Sequence, residues 1–277
     1  MTPRPRPGHP FMAGSPLFFA HRGGASLAPE NTMAAFRSAV DTWGVDVLEM
    51  DVHVTSDGEL VVIHDPTVDR TTDGEGAVRD LTFAEIQELD AGSRFLNLDG
   101  NPSFRGLGVR IPRFAEVLDA FPGVRMNVDS KGPGATSRLM SIIRSAAAEQ
   151  RVLLASVHEQ GRADRLGYLG PTSATRRQLR VFFYLHRLPN GGPYTPRTGA
   201  LQVPFRWKGR QITTPRLIRE AHRRNLPVHV WTVDEEDTMR TLLRWRVDGI
   251  QTDRPDRLAR VLHEEAGRPT PPGLVAS

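Results

Sequence analysis

Two carboxylates, Glu49 and Asp51, stand two residues apart in the apolar, β-prone run Val47 to Asp65, VLEMDVHVTSDGELVVIHD. Side chains at that spacing share one face of a strand. Burying two acids side by side is costly unless a cation or a buried base compensates, so the run points to a metal site. Turn chemistry at Ser56, Asp57, Gly58 and Glu59 folds the chain back, and a second apolar run ends at His64-Asp65. Further polar residues close other apolar runs: His21-Arg22, Asp129 with Lys131, Ser156 with His158, Trp231 with Asp234, and Asp253.

Oxygen-only ligation by Glu49, Asp51 and Asp129 suits a hard divalent cation, Mg²⁺ or Ca²⁺, where zinc would more often recruit histidines. Arg22 and Lys131 beside it make a positive pocket for a phosphodiester anion. Lys131 carries extra weight because Lys208 is the chain's only other lysine, and a compact point charge suits a phosphate oxygen. His21 and His64 supply an acid and a base that titrate near neutrality. Blander readings stand beside these. Glu49 and Asp51 could be ion-paired to Arg22 and Lys131, Asp129 and Lys131 could pair internally, and either histidine could be a hydrogen-bonded structural group. Trp231 fits a barrel core and a substrate wall equally, and His53, further along the strand, is read as structural.

Strands that precede a helix are predicted near residues 18, 48, 126, 154, 173, 201, 230 and 250. Eight alternating units predict a single-domain α/β fold, a (β/α)8 TIM barrel. A β-hairpin at 60–64 folds back on the second strand, and a small irregular insertion from Pro66 carries a helix opened by a Thr82/Glu85 capping box. An open doubly wound sheet would want GxGxxG after the first strand, and HRGGAS lacks that spacing. The barrel is placed at 17–266, between a flexible arm (1–16) and a disordered tail (267–277). In a barrel the polar residues above converge at the C-terminal ends of the strands. The 277 residues are 39% apolar and 25% charged, which fits neither a membrane nor a disordered chain. No cysteine is present, excluding disulfides and thiolate metal sites. Basic residues read as spread along the chain, without a nucleic-acid motif, although the pI is about 10.0. No membrane span or secretion signal is read, so the expected location is cytoplasmic, with no nucleic-acid partner.

HRGGASLAPENTMAAF, EMDVHVTSDGELVVIHD, LDAG at 89–92, PVHVWTV and DGIQTDRPD together resemble the glycerophosphodiester phosphodiesterase family over about residues 17–262. The resemblance implies a metal-dependent hydrolase on a TIM barrel, releasing sn-glycerol 3-phosphate and an alcohol from a small glycerophosphodiester. It implies His21 and His64 as acid and base, Glu49, Asp51 and a third carboxylate as ligands of the divalent ion, and Arg22 and Lys131 on the phosphate. The family's N-x-E-x-K pattern reads here Asn127-Val128-Asp129-Ser130-Lys131, one methylene shorter at the acid. Two alternatives accompany it: a sphingomyelinase-D-like or lysophospholipase-D-like enzyme acting on a lipid phosphodiester, and a barrel that binds a phosphodiester without catalysis.

Overall fold

The computed structural model describes residues 9–155, 163–164 and 166–275. In chain order the strands are β1 (Leu17–Ala20), β2 (Val47–Val54), β3 (Leu60–Val62), β4 (Arg125–Ser130), β5 (Val152–Ala155), β6 (Leu201–Pro204), β7 (Arg206–Trp207), β8 (Arg210–Gln211), β9 (Val228–Trp231) and β10 (Gly249–Thr252). Seven of them form one parallel curl in the spatial order β5-β4-β2-β1-β10-β9-β6. Single parallel bridges, Leu154 to Thr172 and Ser173 to Ala200, join its two ends. The eighth element at 172–174 is thus present but minimal, because its pairing passes from β5 to β6 within two residues. The (β/α)8 barrel expected from the sequence is what forms.

Strand alternation sorts the apolar residues into two cores. Leu48, Met50 and Val52 of β2 point outward and pack with helix residues such as Phe36, Leu139, Leu242 and Leu258. Leu17, Phe19, Val47, Leu153 and Ala200 point inward and fill the barrel around Phe11. Leu17 and Val47 begin their strands, so Phe11, fully buried, plugs the N-terminal end. The described part of the expected arm, residues 9–16, is therefore packed. Its short turn Pro10–Met12 is capped by His9, whose Nδ1 accepts from the Phe11 amide at 3.1 Å. At the other terminus Pro272–Val275 is a short helix, with Leu274 against the outer core. An apolar residue in each terminal segment finds the barrel, which the Pro-rich composition concealed.

β2 runs past the barrel rim and pairs antiparallel with β3, Val52 opposite Val62 and Val54 opposite Leu60. The Ile63 amide then donates to the Asp51 carbonyl at 2.9 Å, so the hairpin returns His64 to the level of Asp51. The insertion that follows packs a small core of its own, Ile63, Val68, Val78, Ile86, Ala91 and Ile111. Within it Phe83–Gln87 is helical and the Thr82/Glu85 capping box forms. The helix expected over 135–150 ends at Ser145, and Ala147 turns the chain at φ 49°. The helix expected between 157 and 168, with Ser156 and His158, lies largely outside the described residues. A hairpin on which the sequence reading is silent, β7-β8, projects from β6. Among the described residues no helix is long and apolar enough to cross a membrane.

Candidate active site

The site is built where the strands end. β1 stops at Ala20 and the chain makes a tight turn, His21–Gly23, with Arg22 left-handed at φ 51°. Gly23 and Gly24 continue at φ 84° and 94°. A Cβ on Gly23 would meet Ala35 Cβ at 2.7 Å and one on Gly24 would meet Pro255 Cγ at 2.8 Å. Glycine alone therefore lets this turn lie against the helices on either side. The turn aims the Arg22 amide at Glu49 Oε2, 2.9 Å away.

On the next strands Asp51 and Asp129 are direct cross-strand neighbours, and Glu49 lies opposite Asn127. Glu49 and Asp51 are 5% and 3% exposed, so two acids really are buried side by side. Lys131 Nζ bridges Asp51 Oδ1 at 3.0 Å and Asp129 Oδ2 at 2.6 Å. Arg22 Nε is 3.4 Å from Asp51 Oδ2, which also faces Asn31 Nδ2 at 3.3 Å. Burial, then the neighbouring Asp51, pushes the Glu49 carboxyl above its ordinary pKa. Asp51 goes the other way: burial opposes ionisation, but Lys131, His64 and Arg22 hold it low. Burial raises Asp129, whose Oδ1 is buried without a hydrogen-bond partner among the described residues.

Each histidine is held by a carboxylate through Nδ1. His21 Nδ1 lies 2.7 Å from Asp253 Oδ1, leaving Nε2 toward Glu49 Oε2 at 3.9 Å. Asp253 is fixed in turn, since its amide and the Thr252 hydroxyl both donate to Asp234 Oδ1. Burial disfavours the imidazolium, yet Glu49 and Asp253 push the His21 pKa up to about 9. His64 Nδ1 lies 2.6 Å from Asp65 Oδ1, and His53 Nε2 holds the His64 carbonyl at 3.1 Å. Asp65 Oδ2 accepts from Arg70 Nε at 2.5 Å; Arg70 spans to Glu30 with two bonds of 2.8 Å, and Glu30 holds Arg22 at 3.0 Å. Burial opposes ionisation of Asp65, but Arg70 and His64 hold its pKa down at about 2.

Six expected residues, His21, Arg22, Glu49, Asp51, Asp129 and Lys131, form one contact network, and His64 joins it through Asp65, Arg70 and Glu30. Trp231 reaches the same rim as the half-buried last residue of β9, but its indole makes no hydrogen bond or ring contact with that network. Sequence reasoning put Asp253 at the mouth without a role and gave no part in the site to Asp65, Glu30, Asn31 or Arg70, although Asn31 or Thr32 reads as a helix N-cap. The first four lie in or beside the quoted motifs. Arg70 sits in an irregular stretch without periodicity, and only distance reveals it. Among the described residues no three acidic or imidazole groups close on a single point, because the Lys131 ammonium stands between Asp51 and Asp129. Glu49 and Asp51 are nevertheless buried, Asp129 is half-buried with its Oδ1 buried and unpartnered among the described residues, and the oxygen-only set fits a hard cation.

Fold and site together define a (β/α)8 barrel whose C-terminal mouth carries acid–base groups and cations suited to an anionic ester. Residues 21–257 match the glycerophosphoryl diester phosphodiesterase family, and the chain belongs to that family. It is 33% identical over 261 residues to a glycerophosphodiester phosphodiesterase of Caldanaerobacter subterraneus subsp. tengcongensis, covering 90% of this chain and 98% of the relative. The crystal structure of a glycerophosphodiester phosphodiesterase from Agrobacterium tumefaciens superposes with TM-score 0.70 at 26% identity, covering 88% of this chain and 99% of that one. An Oleispira antarctica phosphodiesterase in complex with the product sn-glycerol-3-phosphate shares the fold, with TM-score 0.71, 21% identity and coverage of 90% and 97%.

Proposed function

We propose that this chain hydrolyses a small glycerophosphodiester to sn-glycerol 3-phosphate and an alcohol, with a bound divalent cation, Mg²⁺ or Ca²⁺. The observation that carries the mechanism is that two histidines, each just beyond the end of a different strand, have Nδ1 tied to a carboxylate and Nε2 turned away from it. That arrangement fixes the tautomer and ring orientation a general acid–base pair requires. Glu49, Asp51 and Asp129 are the residues that would hold the cation, which supplies Lewis-acid stabilisation of phosphate charge. Arg22 and Lys131, now resting on Asp51 and Asp129, are placed to take the phosphate oxygens, as a preorganised cationic clamp. Of the two imidazoles, one activates the attacking oxygen and the other protonates the leaving oxygen. Half-buried Trp231 at the rim is assigned to the substrate wall.

The test is turnover of glycerophosphocholine with Mg²⁺ or Ca²⁺, with and without EDTA, in the wild type and in His21→Ala and His64→Ala. Activity is expected to vanish with the chelator and to fall by at least ~10²-fold in each variant. Turnover unaffected by EDTA, or retained in His21→Ala, refutes the assignment. Phosphorus NMR of the products distinguishes hydrolysis from the cyclic phosphate that a sphingomyelinase-D-like lyase would leave.

A further inference from the structure

The basic residues are not evenly spread after all. From Arg165 to Arg219 the chain has no Asp or Glu and eleven Lys or Arg. Since the whole chain carries +4, the remainder nets −7 (4 minus 11). The ten of these cations that the structure describes are all exposed. None of the ten is ion-paired among the described residues. The same stretch exposes large apolar groups: Tyr184 is 68%, Leu188 45% and Trp207 53% accessible.

The hairpin β7-β8 concentrates both properties. Arg206 pairs with Gln211 and Trp207 with Arg210, around a turn at Lys208-Gly209 with φ 47° and 76°. All six residues 206–211 are exposed. Its base is firmly seated. Phe205 packs on the outer core with Trp245 at 6.3 Å, and the buried Thr213 hydroxyl donates to the Pro204 carbonyl at 3.0 Å. Pro204 and Trp231 are cross-strand neighbours, so the hairpin stands at the barrel mouth beside the candidate site. The fold makes no use of an indole flanked by three unpaired cations on such a tip. An anionic bilayer does: Trp favours the headgroup level, and each nearby Lys or Arg adds attraction to acidic lipid.

We propose that this acid-free flank, led by the Arg206–Gln211 hairpin, is a docking surface for an anionic phospholipid membrane. Binding is peripheral and electrostatic, and it brings the mouth to the surface where glycerophospholipid headgroups lie. The last point rests on the proposed activity; the docking itself does not.

Co-sedimentation with phosphatidylcholine vesicles, with and without about 30 mol % phosphatidylglycerol, tests the proposal at low and high salt. The wild type is expected to pellet with the acidic vesicles alone and to be released by high salt. At roughly one power of ten per 1.4 kcal/mol and about 1 kcal/mol per charge, loss of the three cations alone should make the triple variant Arg206→Glu, Lys208→Glu, Arg210→Glu partition on the order of 100-fold more weakly, and the three added carboxylates should weaken it further. Trp207→Ala should weaken partitioning several-fold. Both variants should keep wild-type melting and wild-type turnover of soluble glycerophosphocholine. No partitioning, equal partitioning to neutral vesicles, or an unaltered triple variant overturns the proposal. So does displacement from the vesicles by a single-stranded oligonucleotide that binds more tightly than the lipid. Absent turnover in a wild type that still docks counts against the activity and leaves the docking intact.

Discussion

Arg70 joins two halves of the site that the sequence keeps apart. One guanidinium reaches Asp65, which orients His64, and Glu30, which holds Arg22. It is 48% exposed, so its own ion pairs add little to global stability. Its value lies in alignment, where small displacements of a reacting group can cost about 10²-fold in rate. Arg70→Ala is expected to lower kcat by roughly 10- to 100-fold with an unchanged melting temperature, and Arg70→Lys to recover part of the loss. The pH profile gives a second readout. Burial opposes ionisation of Asp65, and Arg70 together with His64 holds its pKa down at about 2, so removing Arg70 should move the acid limb of the profile to higher pH. An unaltered rate and profile would reduce Arg70 to a surface ion pair. Asp129 is the other residue to probe. Asp129→Glu restores the family pattern, and a longer acid should tighten metal dependence, read as the Ca²⁺ or Mg²⁺ concentration for half-maximal activity. Most of this site was legible because its members end apolar runs or repeat family motifs. The ties between them were not, since Arg70 and Glu30 are forty residues apart and neither sits on a regular element.

At the scale of elements, strand order and the β2-β3 hairpin follow from period-two alternation and a four-residue turn, and both were visible in the residues. The barrel's N-terminal plug was not. Phe11 lies among prolines and glycines in a stretch that reads as a loose arm, yet it is fully buried against Leu17, Phe19 and Val47. A lone aromatic has no periodicity to betray it; only the closed ring supplies the cavity it fills. Phe11→Ala is expected to cost about 3–5 kcal/mol, the usual range for an aromatic removed from a core. Urea unfolding at neutral pH measures this, and turnover by the folded fraction should persist because the plug is at the end opposite the mouth. A loss under about 1 kcal/mol would mean that the segment is dispensable. The β7-β8 hairpin escaped the sequence reading for another reason: RWKGRQ has neither an apolar alternation nor an Asn-Gly or Asp-Gly turn.

The whole molecule carries a cost inside its ring. Polar side chains continue below the mouth, with Asn127, Gln202, Gln251 and His229 all buried. His229 is fully buried, its two ring nitrogens lack hydrogen-bond partners among the described residues, and it packs on Phe19 at 4.8 Å. Burial pushes its pKa down to about 4, outweighing the attraction of Asp248. Unfolding returns this imidazole to an ordinary value near 6.5. Between those values the unfolded chain binds more protons, so stability falls as pH falls from about 6.5 to about 4 and levels off below that. The shift corresponds to about 3 kcal/mol once both states are protonated, a large share of a domain's usual margin. His229→Gln removes the titration, and its urea midpoint should change less between pH 7 and pH 5 than the wild type's. Arg70→Ala makes a useful comparison, since it leaves His229 in place and should keep the wild-type slope over that interval. If His229→Gln shows the same slope as the wild type, the acid sensitivity belongs to the carboxylate network at the mouth rather than to the barrel interior.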